Sequence, residues 1–134
     1  MDGMKVAEQI TFLYCSDLSR TGSFYEDLLG FPLVIDQGSC RVVQVAEGGG
    51  GYLGYCERLE EGESASSGII FTLTVDKKEQ VDDWYNYLVE HGLELPEPPK
   101  DNPRYGIYHF FFEDPDGYKL EVQSFHDQEW KKPV

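Results

Sequence analysis

The sequence predicts an α+β fold made of two βαβββ modules. Three observations carry that expectation. First, one order of features occurs twice: a strand, an Asp, a helix with an aromatic pair, a Gly, then several strands. Setting LYCSDLSRTGSFYEDLLGF beside LTVDKKEQVDDWYNYLVEHGL aligns Asp17 with Asp76, Phe24-Tyr25 with Trp84-Tyr85, and Gly30 with Gly92. Second, each copy supplies one helix, enough to cover one face of its sheet, so a repeat of about 55 residues leaves its other face bare and should not be stable alone. Third, 134 residues with 40% hydrophobic and 27% charged content suit one ordinary globular domain with a real core. The two bare faces are therefore expected to close on each other or on a second chain, leaving a cavity where function would sit.

The elements follow in order. Residues 1–7 read as a lead-in. QITFLYCSD is rich in β-formers and predicts a strand over about 8–15, after which Asp17 or Ser19 can cap a helix. In SRTGSFYEDLLGF, Phe24, Leu28 and Phe31 recur at helical spacing and Gly30 is a fitting stop. PLVIDQG, CRVVQVAE and GYLGYCE are three short β-type runs between Gly-rich turns. GGGG at 48–51 lacks the lysine and the strand-to-helix context of a phosphate-binding loop. LEEGESASSG reads as a linker over 58–68, dividing the single domain 1–134 into module one at about 8–57 and module two at about 69–126. Module two opens with the strand IIFTLTVD. KKEQVDDWYNYLVEHG follows as an amphipathic helix with Val81, Trp84, Tyr85, Leu88 and Val89 on one side. After a Pro-rich loop, IYHFFFED and YKLEVQSF form a hairpin around Asp114-Pro115-Asp116-Gly117, where Pro suits the second turn position and Gly the last.

Charge and cysteine content narrow the function classes. A net charge of −14 repels phosphate backbones and anionic bilayers, which argues against nucleic-acid and membrane partners. No apolar run is long enough to span a bilayer, and MDGMKVAEQITF lacks the basic start and long apolar centre of a signal peptide, so the expected location is cytoplasmic. Three cysteines, Cys15, Cys40 and Cys56, with no CxxC pair, are expected to be reduced thiols.

The strand ending in Ser16-Asp17, the FYEDLLGF helix end, the second strand ending in Val75-Asp76, and FFFEDPDGYKLE together resemble the vicinal oxygen chelate superfamily, which includes glyoxalase I, bleomycin resistance proteins, fosfomycin-resistance enzymes and extradiol dioxygenases. The resemblance covers roughly residues 8–125. It implies paired modules, each curling into half a barrel with its helix outside, often in a homodimer. It also implies a divalent metal chelated by the substrate, with ligands on the first strand of each module and on the strand after DPDG. The last position falls on Glu121, four residues after Gly117. The others fall seven residues before Asp17, on Ile10, and six before Asp76, on Ile70. Isoleucine has no lone pair, whereas Fe, Mn, Ni and Zn need nitrogen or oxygen donors. No standard metal site is expected, and Glu121 is the only ligand position retained.

Strand alternation together with the resemblance names the candidate cavity wall: Ile10, Phe12 and Tyr14 from strand one; Ile70 and Thr72 from the second module's first strand; His109, Phe111 and Glu121 from the hairpin, with Lys119 and Gln123 on Glu121's face. The wall is apolar and aromatic with a few polar points, the usual composition of a small-molecule site. Glu121 is either a satisfied carboxylate or a ligand contact, and His109 either a structural residue or an acid–base catalyst. A Glu121–His109 pair across neighbouring strands is geometrically open. His126, an odd number of residues from Glu121, should not join it. Arg104, Tyr105 and Tyr108 lie near the Pro-rich loop, a candidate lid. Two readings follow. One is a binding protein without a cofactor, taking a small aromatic or cationic molecule. The other is a lyase, isomerase or dioxygenase that uses a divalent metal held in a non-standard way, or Glu121 and His109 alone.

Overall fold

Two units of like topology follow one another along the chain, Met1–Ala65 and Ser66–Val134. The structure is a computed structural model that describes residues 4–48, 50–60 and 68–133; most of the expected linker, and Gly49 of the Gly-rich turn, lie outside the described residues. The first unit runs β1 (Ile10–Cys15), α1 (Leu18–Gly22) continuing as a π-helical turn (Ser23–Leu28), β2 (Leu33–Asp36), β3 (Cys40–Gln44) and β4 (Tyr52–Glu57). The second runs β5 (Ile70–Thr74), α2 (Lys78–Glu90), β6 (Lys100–Asn102), β7 (Ile107–Glu113) and β8 (Lys119–Phe125). Each unit is therefore βαβββ, and each sheet is an open, mixed, four-stranded one, in the order β1-β4-β3-β2 or β5-β8-β7-β6. The first and last strands of each unit pair in parallel, and the remaining pairs are antiparallel.

In the first unit, Asp17 caps α1 by accepting the Arg20 N–H at 3.1 Å. The helix then widens: the Leu29 N–H bonds the Phe24 carbonyl, five residues back, at 3.0 Å. The extra residue in that turn changes which side chains point inward. Phe24, Tyr25, Leu29 and Phe31 are buried, while Leu28, expected on the core side from α-helical spacing, is only half-buried. Tyr25 stacks on Tyr55 of β4 with centroids 5.7 Å apart, so the helix covers the face carrying Leu13, Cys15, Leu53 and Tyr55. Ile10, Phe12 and Tyr14 alternate with those β1 residues and remain 41%, 52% and 49% exposed.

The expectation of three reduced thiols is corrected here. Cys40 and Cys56 sit directly opposite each other on β3 and β4, their Cα atoms 4.1 Å apart, and form a disulfide; Cys15 is buried outside it. Sixteen residues separate the pair in sequence, and only the antiparallel register brings them together.

In the second unit, Gln80 accepts the Lys77 N–H at 2.8 Å at the start of α2. Val81 and Leu88 are fully buried, and Tyr85 meets Phe110 of β7 edge-on at 5.5 Å. Val89, expected on the same side, is 47% exposed, because the helix seats on the Val81–Tyr85–Leu88 line. The hairpin turn forms as expected. The Gly117 N–H bonds the Asp114 carbonyl at 3.0 Å, and Asp114 Oδ1 accepts from the N–H groups of Asp116 and Tyr118 at 2.9 and 3.0 Å. Gly117 has φ +87°, a left-handed conformation that favours glycine. Tyr108 donates to Asp82 Oδ1 at 2.6 Å, tying β7 to α2.

Two outcomes follow. Alkylation of denatured protein should mark one cysteine before reduction and three after, and reduction should lower stability by about 3 kcal/mol for a loop of this size; three marked cysteines without reductant would show the pair to be open. Tyr108 is pushed up to about 12, first by its hydrogen bond to Asp82 and then by burial. A folded value raised above the unfolded one stabilises fully below the unfolded pKa, near 10, and that contribution is lost as pH rises through about 12. The ultraviolet difference titration between the native protein and Tyr108→Phe should therefore show a phenol ionising near pH 12; one ionising near pH 10 would mean that the Asp82 bond does not form in solution.

Candidate functional site

β8 lies between β5 and β7, and that placement assembles the candidate site. The register sets Thr72 and Phe111 on either side of Glu121, and Thr74 and His109 on either side of Gln123. All of these project on the face opposite α2, because the alternate residues Tyr108 and Phe110 meet the helix. Glu121 is 7% exposed, His109 5% and Gln123 7%.

Burial of a carboxylate at this depth requires donors, and three are present. The Thr72 hydroxyl donates to Glu121 Oε1 at 2.9 Å. His109 Nδ1 lies 2.6 Å from Oε2; a carboxylate only accepts, so the ring nitrogen carries the hydrogen. Gln123 lies 3.2 Å from each oxygen, and assigning its amide nitrogen toward Glu121 makes it the third donor, since the opposite assignment would set its oxygen against acceptors only. The pair expected between Glu121 and His109 is thus formed, and Gln123 is a third donor whose part in it was not read from the sequence. His109 Nε2 is left buried without a hydrogen-bond partner. With Nδ1–H fixed on a carboxylate, a neutral ring presents a bare lone pair at Nε2, the disposition used by histidine acceptors and bases.

Phe111 stands beside this group, its ring centroid 5.0 Å from the His109 ring in an edge contact, with Lys119 Nζ over it at 4.1 Å. Across β6, Lys100 is opposite His109 and donates to Glu97 at 2.7 Å; that bond, more than the weaker pull of His109, holds the Glu97 carboxyl below its usual range. His126 does not join the site: it is exposed and bonded to Asp101 at 3.0 Å. Of the lid candidates, Tyr105 is 63% exposed beneath the Arg104 guanidinium, and Tyr108 turns to the helix side. Of the residues expected to line a cavity, Ile70, Thr72, His109, Phe111 and Glu121 share this face, and Ile10, Phe12 and Tyr14 share the corresponding face of the first unit.

The family's metal can be tested against these residues. Ile10 and Ile70 begin equivalent strands and offer no donor atom. The repeat gives a third check. Phe12 faces Gly54 across β1 and β4 as Thr72 faces Glu121 across β5 and β8, so the first unit's counterpart of Glu121 is a glycine. A side chain there would overlap the Phe12 ring. Among the described residues, no cluster of three or more His, Cys, Asp or Glu side chains is arranged to hold a metal. Glu121 is bonded to Thr72 and His109, and Ile10, Ile70 and Gly54 at the companion positions do not fit the family's metal.

A second polar cluster lies on the helix side of the first unit, unforeseen because its members are far apart in sequence. Glu26, on the π-helical turn, accepts from the Tyr55 hydroxyl and from Arg41 Nη1 at 3.3 Å. Burial, then the bond to Glu26, pushes Tyr55 above its usual range. Burial works against the Arg41 charge, but Glu26 and Asp36 outweigh it and hold its pKa up. A cavity of ≈ 440 Å³ opens beside the cluster, lined by Asp17, Gly22, Glu26, Asp27, Arg41 and Glu57. Tyr55 and Arg41 Nη1 both meet Glu26, while Arg41 Nε is buried without a hydrogen-bond partner, and the cluster fastens the widened helical turn to the sheet.

Replacing His109 by Phe removes a donor from a buried carboxylate and should cost about 2 kcal/mol in urea unfolding. Thr72→Val should cost less, since Thr72 is exposed and water can replace its hydroxyl. The reverse order would mean that His109 is not the principal partner of Glu121.

The Glyoxalase/Bleomycin resistance protein/Dioxygenase superfamily matches residues 7–122. A search of curated proteins finds no match. Among solved structures, a glyoxalase/bleomycin resistance protein/dioxygenase from Nocardioides is similar with a TM-score of 0.74 at 20% identity, over 98% of this chain and 91% of that one. A lactoylglutathione lyase from Agrobacterium tumefaciens gives 0.72 at 21% identity, over 96% and 98%. A genomically encoded fosfomycin resistance protein from Listeria monocytogenes gives 0.72 at 16% identity, over 90% and 94%. With the repeated βαβββ unit and the match over most of its length, the chain belongs to the glyoxalase/bleomycin resistance/dioxygenase superfamily.

Proposed function

We propose that this protein binds a small organic molecule without a metal, on the face formed by β5, β8 and β7. One observation carries the reading: Glu121, at the position where the family places a metal ligand, is buried and bonded to Thr72 and His109, while the companion positions hold Ile10 and Ile70. Its role becomes that of an internal acceptor that orients His109, and Nε2 of that ring is the polar atom left to meet a ligand. Phe111 and Ile70 supply apolar surface beside it. A homodimer is part of the same proposal.

A second reading rests on the same dyad. A histidine whose Nδ1–H is held by a carboxylate can take a proton at Nε2, so a metal-free lyase or isomerase would use His109 as base and Glu121 as its positioning group. The similar structures include a lactoylglutathione lyase as well as a resistance protein, so either reading stays within the family's range.

The decisive measurement is the metal content of protein purified without chelator or metal-affinity tag, followed by titration with Fe(II), Mn(II), Ni(II) and Zn(II). The expected result is no stoichiometric metal and no saturable uptake at micromolar concentrations. Near-stoichiometric metal that disappears in Glu121→Ala would overturn the metal-independent reading.

A further inference from the structure

Helix α2 carries an aromatic corner apart from the line that seats it on the sheet. Trp84, expected from helical spacing to join Val81, Tyr85 and Leu88 on the core side, is only half-buried. Its ring meets that of Tyr87, three residues on, edge-on: the centroids are 5.6 Å apart and the planes stand at 84°. Tyr87 packs in turn on His91, one turn further along, at 4.2 Å, and His91 Nδ1 donates to the Tyr87 carbonyl at 2.8 Å, which helps fix the corner. Together with Asp83 the two rings line a hollow of ≈ 290 Å³. Asp83 is exposed and, among the described residues, forms no ion pair.

The lining selects the chemistry of its occupant. Small-molecule sites start at roughly 300 Å³, so a hollow of ≈ 290 Å³ takes something compact. Aromatic faces are negative, Asp83 adds a full negative charge, and the chain carries −14, so the occupant is a cation. A primary ammonium or a guanidinium brings three or more N–H donors, and a lining with a single carboxylate replaces little of the water they lose. A quaternary ammonium has no N–H to satisfy, and its methyl groups suit apolar walls. We propose that the Asp83–Trp84–Tyr87 hollow binds a free quaternary ammonium compound of the choline type, its trimethylammonium group in the aromatic corner and its charge toward Asp83. The exposed carboxylates of Glu79, Asp83 and Glu90 on the same helix favour a dissolved cation over the surface of a bilayer. Because α2 covers the side of its sheet away from Glu121, the site is independent of the reading of that face.

The test uses ¹⁵N-labelled full-length protein, whose two tryptophans, Trp84 and Trp130, give indole N–H signals assigned with Trp84→Phe and Trp130→Phe. The probes are choline, its neutral carbon isostere 3,3-dimethylbutan-1-ol, and its primary-amine counterpart ethanolamine. Choline should shift the Trp84 signal saturably at millimolar concentration and leave that of Trp130 in place. The other two probes should bind about tenfold more weakly. Tyr87→Leu, which keeps apolar bulk but removes the ring, should weaken choline about tenfold, whereas Tyr87→Phe should keep its affinity. The exposed substitution Asp83→Asn should weaken it about threefold. Dimethylbutanol binding as tightly as choline would reduce the hollow to an apolar patch and overturn the proposal. Ethanolamine binding as tightly, or choline affinity unchanged in Tyr87→Leu, would reduce the effect to general attraction by an acidic surface and overturn it equally. So would the absence of a saturable Trp84 shift, or a shift given by phosphatidylcholine vesicles and not by free choline. None of these outcomes touches the reading of the Glu121 face.

Discussion

The hydrogen bonding of Glu121 is the constraint on which the second unit's chemistry depends. It arises from topology before side-chain chemistry. β8 is a central strand, parallel to β5 and antiparallel to β7, so a residue on it has neighbours on both sides within side-chain reach. Thr72 reaches Glu121 from one side, His109 reaches it diagonally from the other, and Gln123 reaches it along the strand. A single-residue slip in either pairing would turn one of those donors to the helix face, where Leu120, Val122, Phe110 and Phe112 make the core. A buried network of this kind costs little when every member is paired and a great deal when one is not. The structure leaves one buried member unpaired, His109 Nε2.

The two units carry the same topology with opposite contents on corresponding faces. Where the second unit has Thr72 beside Glu121, the first has Phe12 beside Gly54, and the phenyl ring occupies the space a side chain on residue 54 would need. Where the second has an ion-like pair on the face away from its helix, the first has its charged cluster, Glu26 with Arg41 and Tyr55, on the helix side.

Much of the fold was legible because it is written locally. The period-2 runs, the Asp17 cap, the Gly92 stop and the DPDG turn each act within a few residues, and each appears as expected. The face shared by Thr72, His109, Phe111 and Glu121 was also legible, since alternation needs only correct strands. What failed to show were features set by hydrogen-bond pattern or pairing. The π-helical turn exchanges Leu28 for Leu29 in the core, a one-residue effect that apolar spacing cannot distinguish. The Cys40–Cys56 bond and the Glu26–Arg41–Tyr55 cluster depend on strand register between segments distant in sequence. Gln123 was placed on the right face, but the consequence that it helps saturate Glu121 follows only from distances.

The partners of Glu121 bear on how a retained family position is interpreted. Glu121 occupies the ligand position that follows DPDG, and by position alone it argues for the family's chemistry. Its environment argues otherwise. A metal ligand needs a free lone pair and companions with nitrogen or oxygen donors; Glu121 has its oxygens occupied, and the companion positions hold Ile10, Ile70 and, by the repeat, Gly54. The same carboxylate can instead serve the ring beside it, since fixing Nδ1–H is what makes the far nitrogen of a histidine a defined acceptor.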